Sequence, residues 1–120
     1  EGPVGLLATT GTLTAEVYQN RFSALGYECL TPNDDAQTNG VTAGIAAVKA
    51  GDFDNARRRL EASAKTLIEQ NCQAIILGCT EIPLVLNSET STTPKVQYLD
   101  ATQALAEASV RWHLEATNKG

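Results

Sequence analysis

Histidine occurs once in this chain of 120 residues, at His113, and cysteine only at Cys29, Cys72 and Cys79. That scarcity leaves no His/Cys cluster with zinc-site spacing, and no metal is expected. Three thiols cannot all pair with one another, so they read as reduced thiols of a cytoplasmic protein. No apolar run approaches the roughly 18 residues that cross a bilayer, and the start Glu1-Gly2-Pro3 has no charged segment leading into an apolar one. Neither export nor a membrane is expected. Basic residues are outnumbered, 9 Lys and Arg against 14 Asp and Glu, for a net charge of -5. Nucleic acid is therefore not an expected partner, because binding a phosphate backbone depends on clustered Lys and Arg. The one basic cluster, Arg57-Arg58-Arg59, reads as a solvated helix face beside Glu61. Also missing are the Gly-x-x-x-x-Gly-Lys-Ser/Thr and Gly-x-Gly-x-x-Gly patterns, which removes the nucleotide cofactors.

What is present suits one soluble domain spanning 1–120. The composition is 42% hydrophobic and 19% charged, and a chain of this length buries roughly 65% of its unfolded surface. Val4 to Ala8 is a short apolar run ending in Thr9-Thr10-Gly11-Thr12, a strand running into a turn. Tyr18, Phe22 and Leu25 recur at helical spacing up to Gly26, and Tyr18 is assigned to the core. A short strand over Tyr27 to Thr31 is stopped by Pro32 and the turn formers Asn33, Asp34 and Asp35. Val41, Ile45 and Val48 mark a helix ending at Gly51; Asp52 or Asp54 caps the next, whose inner face includes Leu60, Ala64, Leu67 and Ile68. Ala74 to Gly78 is apolar at nearly every position, as a strand covered on both faces should be, and it delivers Cys79 to its C-terminal end. After Pro83 and the polar stretch Asn87 to Pro94, Val96 to Leu99 is a fourth strand; Asp100 caps the last helix, with Gln103 able to complete a capping box. Strands alternating with helices predict an α/β fold with a parallel sheet of about four strands and right-handed crossovers.

In such sheets ligands bind beyond the carboxyl ends of the strands. The loops after the first and third strands carry Thr9, Thr10, Gly11 and Thr12 in one and Cys79, Thr80 and Glu81 in the other. Each precedes a helix or helical turn, so free N–H groups and hydroxyls converge as an anion cradle. Cys79 has two readings: a small core hydrophobe, or a thiol whose thiolate is favoured by backbone dipoles near a helix N-terminus. Cys29, inside a strand, and Cys72, at a helix end, lack comparable loops and read as structural. Glu81 is either a solvated carboxylate or a group that orients Cys79 and a substrate ammonium. His113, beside Trp112, reads as a surface histidine.

Gly78-Cys79-Thr80-Glu81-Ile82-Pro83-Leu84 resembles the second cysteine motif of the aspartate/glutamate racemase family. The resemblance extends over nearly the whole chain. Val4 through Thr12 with Tyr18 is similar to the opening of that family's second domain, and Val48-Lys49-Ala50-Gly51 is followed by the expected helix. Asp100 stands where the family's last strand ends. Glutamate racemases usually carry histidine after the Cys-Thr pair, so Glu81 leans toward the aspartate and broad-specificity branch. The resemblance implies one half of a pseudo-symmetric two-domain racemase fold, with the active site between the halves, one cysteine from each, and no pyridoxal phosphate or metal. Cys79 is then one acid/base, Thr80 and Glu81 its neighbours, and Thr9 and Thr12 contacts of the substrate carboxylate. A thiolate working on so weak an acid as an α-proton needs a closed, desolvated site.

The first domain, with its own cysteine motif, has no counterpart here, so this chain alone is not expected to racemise. Its expected partners are a small acidic amino acid and either a first racemase domain or a second copy of the chain, paired Cys79 to Cys79 about a two-fold. Its start at a domain edge suggests ends that are not natural. The last helix, about 101–117, is expected to expose an apolar face of Ala101, Leu105, Ala108 and Trp112 that packs on the missing domain or a partner chain. Rival readings are a related isomerase or lyase, a hydantoin racemase, or a non-catalytic module that binds a carboxylate.

Overall fold

Four strands form one parallel sheet in the computed structural model, which describes residues 3–86, 96–101, 103, 104 and 106. They are β1 (Val4–Leu7), β2 (Cys29–Leu30), β3 (Ala74–Leu77) and β4 (Gln97–Asp100), in the spatial order β2-β1-β3-β4. The two most apolar runs of the sequence became the two central strands, and every residue of both is buried. That is the consequence of helices covering both faces of a parallel sheet. Side chains alternate between the faces. Leu7, Ile75 and Leu77 join Ile45, Leu60 and Leu67 in one core layer. Val4, Leu6 and Ile76 join Phe22, Ala101 and Ala104 in the other.

The β1 crossover is two helices where the sequence predicted one. α1 (Thr10–Ala15) ends and α2 (Val17–Ala24) begins at Glu16, which adopts a left-handed φ of 58°. Its N–H closes on the Leu13 carbonyl while its own carbonyl accepts from Asn20 N–H, so one residue ends one helix and starts the next. Gly26, at φ 91°, ends α2 as expected.

Between β2 and β3 the chain makes two successive helical pieces. The turn read at Asn33 to Asp35 is instead a helix start: Asn33 Oδ1 accepts the Ala36 N–H at 2.8 Å, and Asp34 and Asp35 are already helical. The segment Ala36–Thr42 is a π-helix and runs without a break into α3 (Ala43–Lys49). A side chain at Gly40 would overlap Ser63 Oγ, so only glycine lets this segment settle on α4 (Phe53–Ile68). Of the two candidate caps for α4, Asp52 is the one used, accepting from Asn55 N–H. α4 in turn lies close on the sheet because Gly5 has no side chain: a Cβ there would stand 2.8 Å from Ile75 Cδ1 and 2.9 Å from Leu67 Cδ1.

After β4, Asp100 Oδ1 accepts the Gln103 N–H at 3.1 Å and caps a helix that includes residues 101, 103, 104 and 106. Ala101, expected on an uncovered face, is 2% exposed and packs into the second core layer with Ala104. That follows from Asp100 turning the chain directly back over the sheet. Leu105, Ala108, Trp112 and His113, and the polar stretch 87–94, lie outside the described residues.

Candidate functional site

Register decides which loops meet. Leu7 pairs with Leu77 and Leu77 with Asp100, so β1, β3 and β4 end at one level. Gly78 N–H then donates to the Leu7 carbonyl at 2.8 Å, drawing the threonine loop and the cysteine loop together. Gly78 has no side chain because a Cβ would crowd Ala8 Cβ at 3.1 Å and Tyr18 Cε2 at 3.3 Å. Tyr18 packs against the second core layer, as its helical spacing predicted.

Cys79 is half-buried at the edge so formed, and its Sγ–H donates to Glu81 Oε2 at 2.9 Å. The Thr80 hydroxyl, exposed, donates to the same oxygen at 3.0 Å. The other carboxylate oxygen faces Lys49 Nζ at 3.7 Å. Across the edge Thr9 caps α1: its Oγ1 accepts the Thr12 N–H at 3.2 Å and lies 2.8 Å from the Thr12 hydroxyl. Thr9, Thr10, Thr42, Ile45, Ala46 and Lys49 line an open pocket of about 310 Å³. Lys49 therefore belongs to both loops, lining the pocket beside the threonines and pairing with Glu81. Thr12 touches Thr9 but does not line the pocket.

Lys49 went unnoticed as a site residue. A single lysine in the last turn of a helix reads as complementing the helix dipole. Only the topology says otherwise. With two helical pieces in the crossover, a short turn at Ala50 to Asp52 reverses the chain, so α3 runs with the strands and ends at their carboxyl edge.

The surroundings of the thiol act on it in both directions. Backbone N–H groups of Glu81 and Ile82 do favour the Cys79 thiolate, but burial, followed by the hydrogen bond donated to Glu81 and that group's negative charge, raises its pKa above the ordinary 9.0. The balance favours the thiol over the thiolate. The Glu81 carboxylate is held below its ordinary value, first by the Cys79 thiol and then by the Thr80 hydroxyl, with Lys49 adding to the effect. Cys29 and Cys72 lie at the other edge: Cys29 pairs with Val4, the first residue of β1, and Cys72 precedes β3. Burial, then the neighbouring Cys72, pushes Cys29 up to about 11; burial, then Glu28, raises Cys72. All three cysteines are free. Among the described residues no group of three or more His, Cys, Asp or Glu gathers to hold a metal, and no helix is long and apolar enough to cross a membrane.

The sequence profile described as Asp/Glu/Hydantoin racemase matches residues 1–109. An uncharacterised protein in the pnlA 3′ region of Pectobacterium carotovorum subsp. carotovorum is 42% identical over 110 residues, covering 92% of this chain and 72% of that protein. A glutamate racemase of Pseudomonas paraeruginosa is 38% identical over 86 residues, covering 70% of this chain and 31% of the racemase. The solved aspartate racemase of Picrophilus torridus superposes with a TM-score of 0.69 at 26% identity, covering 92% of this chain and 44% of that one. The chain thus spans less than half the length of either racemase.

Proposed function

Because the chain belongs to the Asp/Glu/hydantoin racemase family, we propose that it is one α/β half of a racemase site for aspartate or glutamate and supplies one of two thiols that move the α-proton. The observation that carries this reading is the Cys79–Glu81 hydrogen bond at the strand edge, beside a pocket of threonine hydroxyls and Lys49. A thiolate from the companion half removes the α-proton from one face of the substrate. Cys79 then delivers its S–H proton to the other face and is left as the thiolate. The opposite thiol has gained the substrate's α-proton and the substrate carbon carries the proton that Cys79 lost, so the balance closes without a cofactor, and the reverse reaction begins from that state. A raised pKa suits Cys79 to the donor role, and the Glu81 carboxylate aims the S–H by accepting from it.

Thr9 and Thr12, at the N-terminus of α1, suit the α-carboxylate, while Thr80 helps to hold Glu81. The Lys49 ammonium gives a second carboxylate a counter-charge, which favours an acidic amino acid over a hydantoin. The companion is a first racemase domain or a second copy of this chain. It closes the site and excludes water, which strengthens each of these interactions. Reduced thiols fit a cytoplasmic setting.

Alkylation of Cys79, followed by mass spectrometry across pH with and without aspartate or glutamate, tests the reading. Labelling is slow at neutral pH, climbs with pH along a curve whose midpoint lies above that of an ordinary thiol, and falls when an acidic amino acid is present. Fast labelling at neutral pH that no acidic amino acid slows contradicts it.

A further inference from the structure

Gln37 is 7% exposed, lies in the π-helical segment and belongs to neither site loop, yet its side chain reaches both the end of β1 and the pocket. Its Nε2 donates to the Ala8 carbonyl at 2.9 Å and to Thr10 Oγ1 at 3.4 Å. The Ala8 carbonyl can only accept, so the amide orientation is fixed by chemistry: the nitrogen must face Ala8 and Thr10. Gln37 Oε1 is buried with no hydrogen-bond partner. An amide buried at the expense of its own acceptor is uncommon, and π-helical turns of this kind are frequent at functional sites.

The consequence falls on Thr10. A hydroxyl has one proton to give, and Gln37 already occupies one of the oxygen's acceptor positions. The Thr10 proton is then free to go to Thr42 Oγ1, 3.5 Å away, or into the pocket that Thr10 lines. Thr42 is itself a hydroxyl and can turn to donate instead. A carboxylate in the pocket can only accept, so it selects the outward proton. The contacts at 3.4 and 3.5 Å are long, as catalytic hydrogen bonds commonly are before a ligand tightens them.

We infer that Thr10 is a further hydroxyl donor to the carboxylate of the bound amino acid, and that Gln37 is a positioning residue that orients it. The inference rests on the proposed reading of the pocket as an amino-acid site. With L-aspartate as the probe, the concentration that half-protects Cys79 from alkylation reads it directly. Thr10→Val, which keeps the shape and deletes the donor, raises that concentration about tenfold or more, as for a lost hydrogen bond to a charged group; Thr10→Ser brings it back toward the wild-type value. Gln37→Leu raises it in the wild-type background and adds nothing to Thr10→Val, because the two residues act as a unit. A merely structural Gln37 lowers the melting temperature and weakens protection equally in both backgrounds. Protection unchanged in Thr10→Val, or a Gln37→Leu effect that adds in full to it, overturns the inference alone. Absence of protection in the wild-type protein overturns the reading of the pocket and the inference with it.

Discussion

The two ends of the sheet carry the same chemical group to different effect. At the amino-terminal edge, Cys29 and Cys72 are thiols raised by burial. At the carboxyl edge, Cys79 is also raised by burial, but there a carboxylate accepts its hydrogen bond, two backbone N–H groups favour its thiolate, and Lys49, which pairs with that carboxylate, lines a pocket with three threonines. The thiol does not make the site. What makes it is the end of the strand, where the chain leaves the sheet and presents unpaired backbone groups and loop side chains.

The strongest way to erase this difference is to loosen the core beneath both ends. Leu67 is fully buried against Gly5, in the layer that joins α4 to the sheet. Leu67→Ala is expected to cost about 2–5 kcal/mol of stability, measured by urea denaturation. Near its unfolding midpoint Cys29 and Cys79 should label at similar rates. A smaller effect separates the ends by pH. The folded pKa of Cys29, about 11, lies above the ordinary 9.0, so the folded state holds its proton longer than the unfolded chain does. Its contribution is complete below pH 9 and is lost as pH rises toward 11. After discounting for partial exposure, the loss is about 1–2 kcal/mol; denaturation at either end of that window, compared with Cys29→Ala, measures it. The smallest effect is confined to the carboxyl edge. Glu81→Gln removes a carboxylate whose hydrogen bond and charge both raise the Cys79 pKa, so the midpoint of Cys79 labelling moves to lower pH while that of Cys29 stays in place.

The strands were legible because burial on both faces leaves a plain mark, a run such as Ala74-Ile75-Ile76-Leu77 without polar interruption. Cys79, Thr80 and Glu81 were legible for a related reason: they follow that run at once, and a motif in a short loop is contiguous in sequence. What could not be read was set by contacts distant in sequence. The break at Glu16 is a left-handed residue in a segment whose apolar spacing is continuous. The π-helical segment leaves no period that a helical pattern would miss, since its geometry answers to Ser63 crossing at Gly40, 23 positions later. Lys49 and Gln37 lie 30 and 42 residues before Cys79 and reach the site only because the crossover is folded in two. The thiolate reading of Cys79, one of two left open, was argued from backbone dipoles; burial, and then Glu81 as a hydrogen-bonded carboxylate, supply the opposing effect.

One measurement bears most directly on the difference between the two ends: exchange of the aspartate α-proton in deuterated water, followed by NMR in the protein assembled with its companion half. Exchange should proceed in the wild-type protein and in Cys29→Ser, and fall by on the order of 10²–10⁴-fold in Cys79→Ser. Exchange that persists in Cys79→Ser, or that disappears equally in Cys29→Ser, contradicts a working thiol at the carboxyl edge of the sheet.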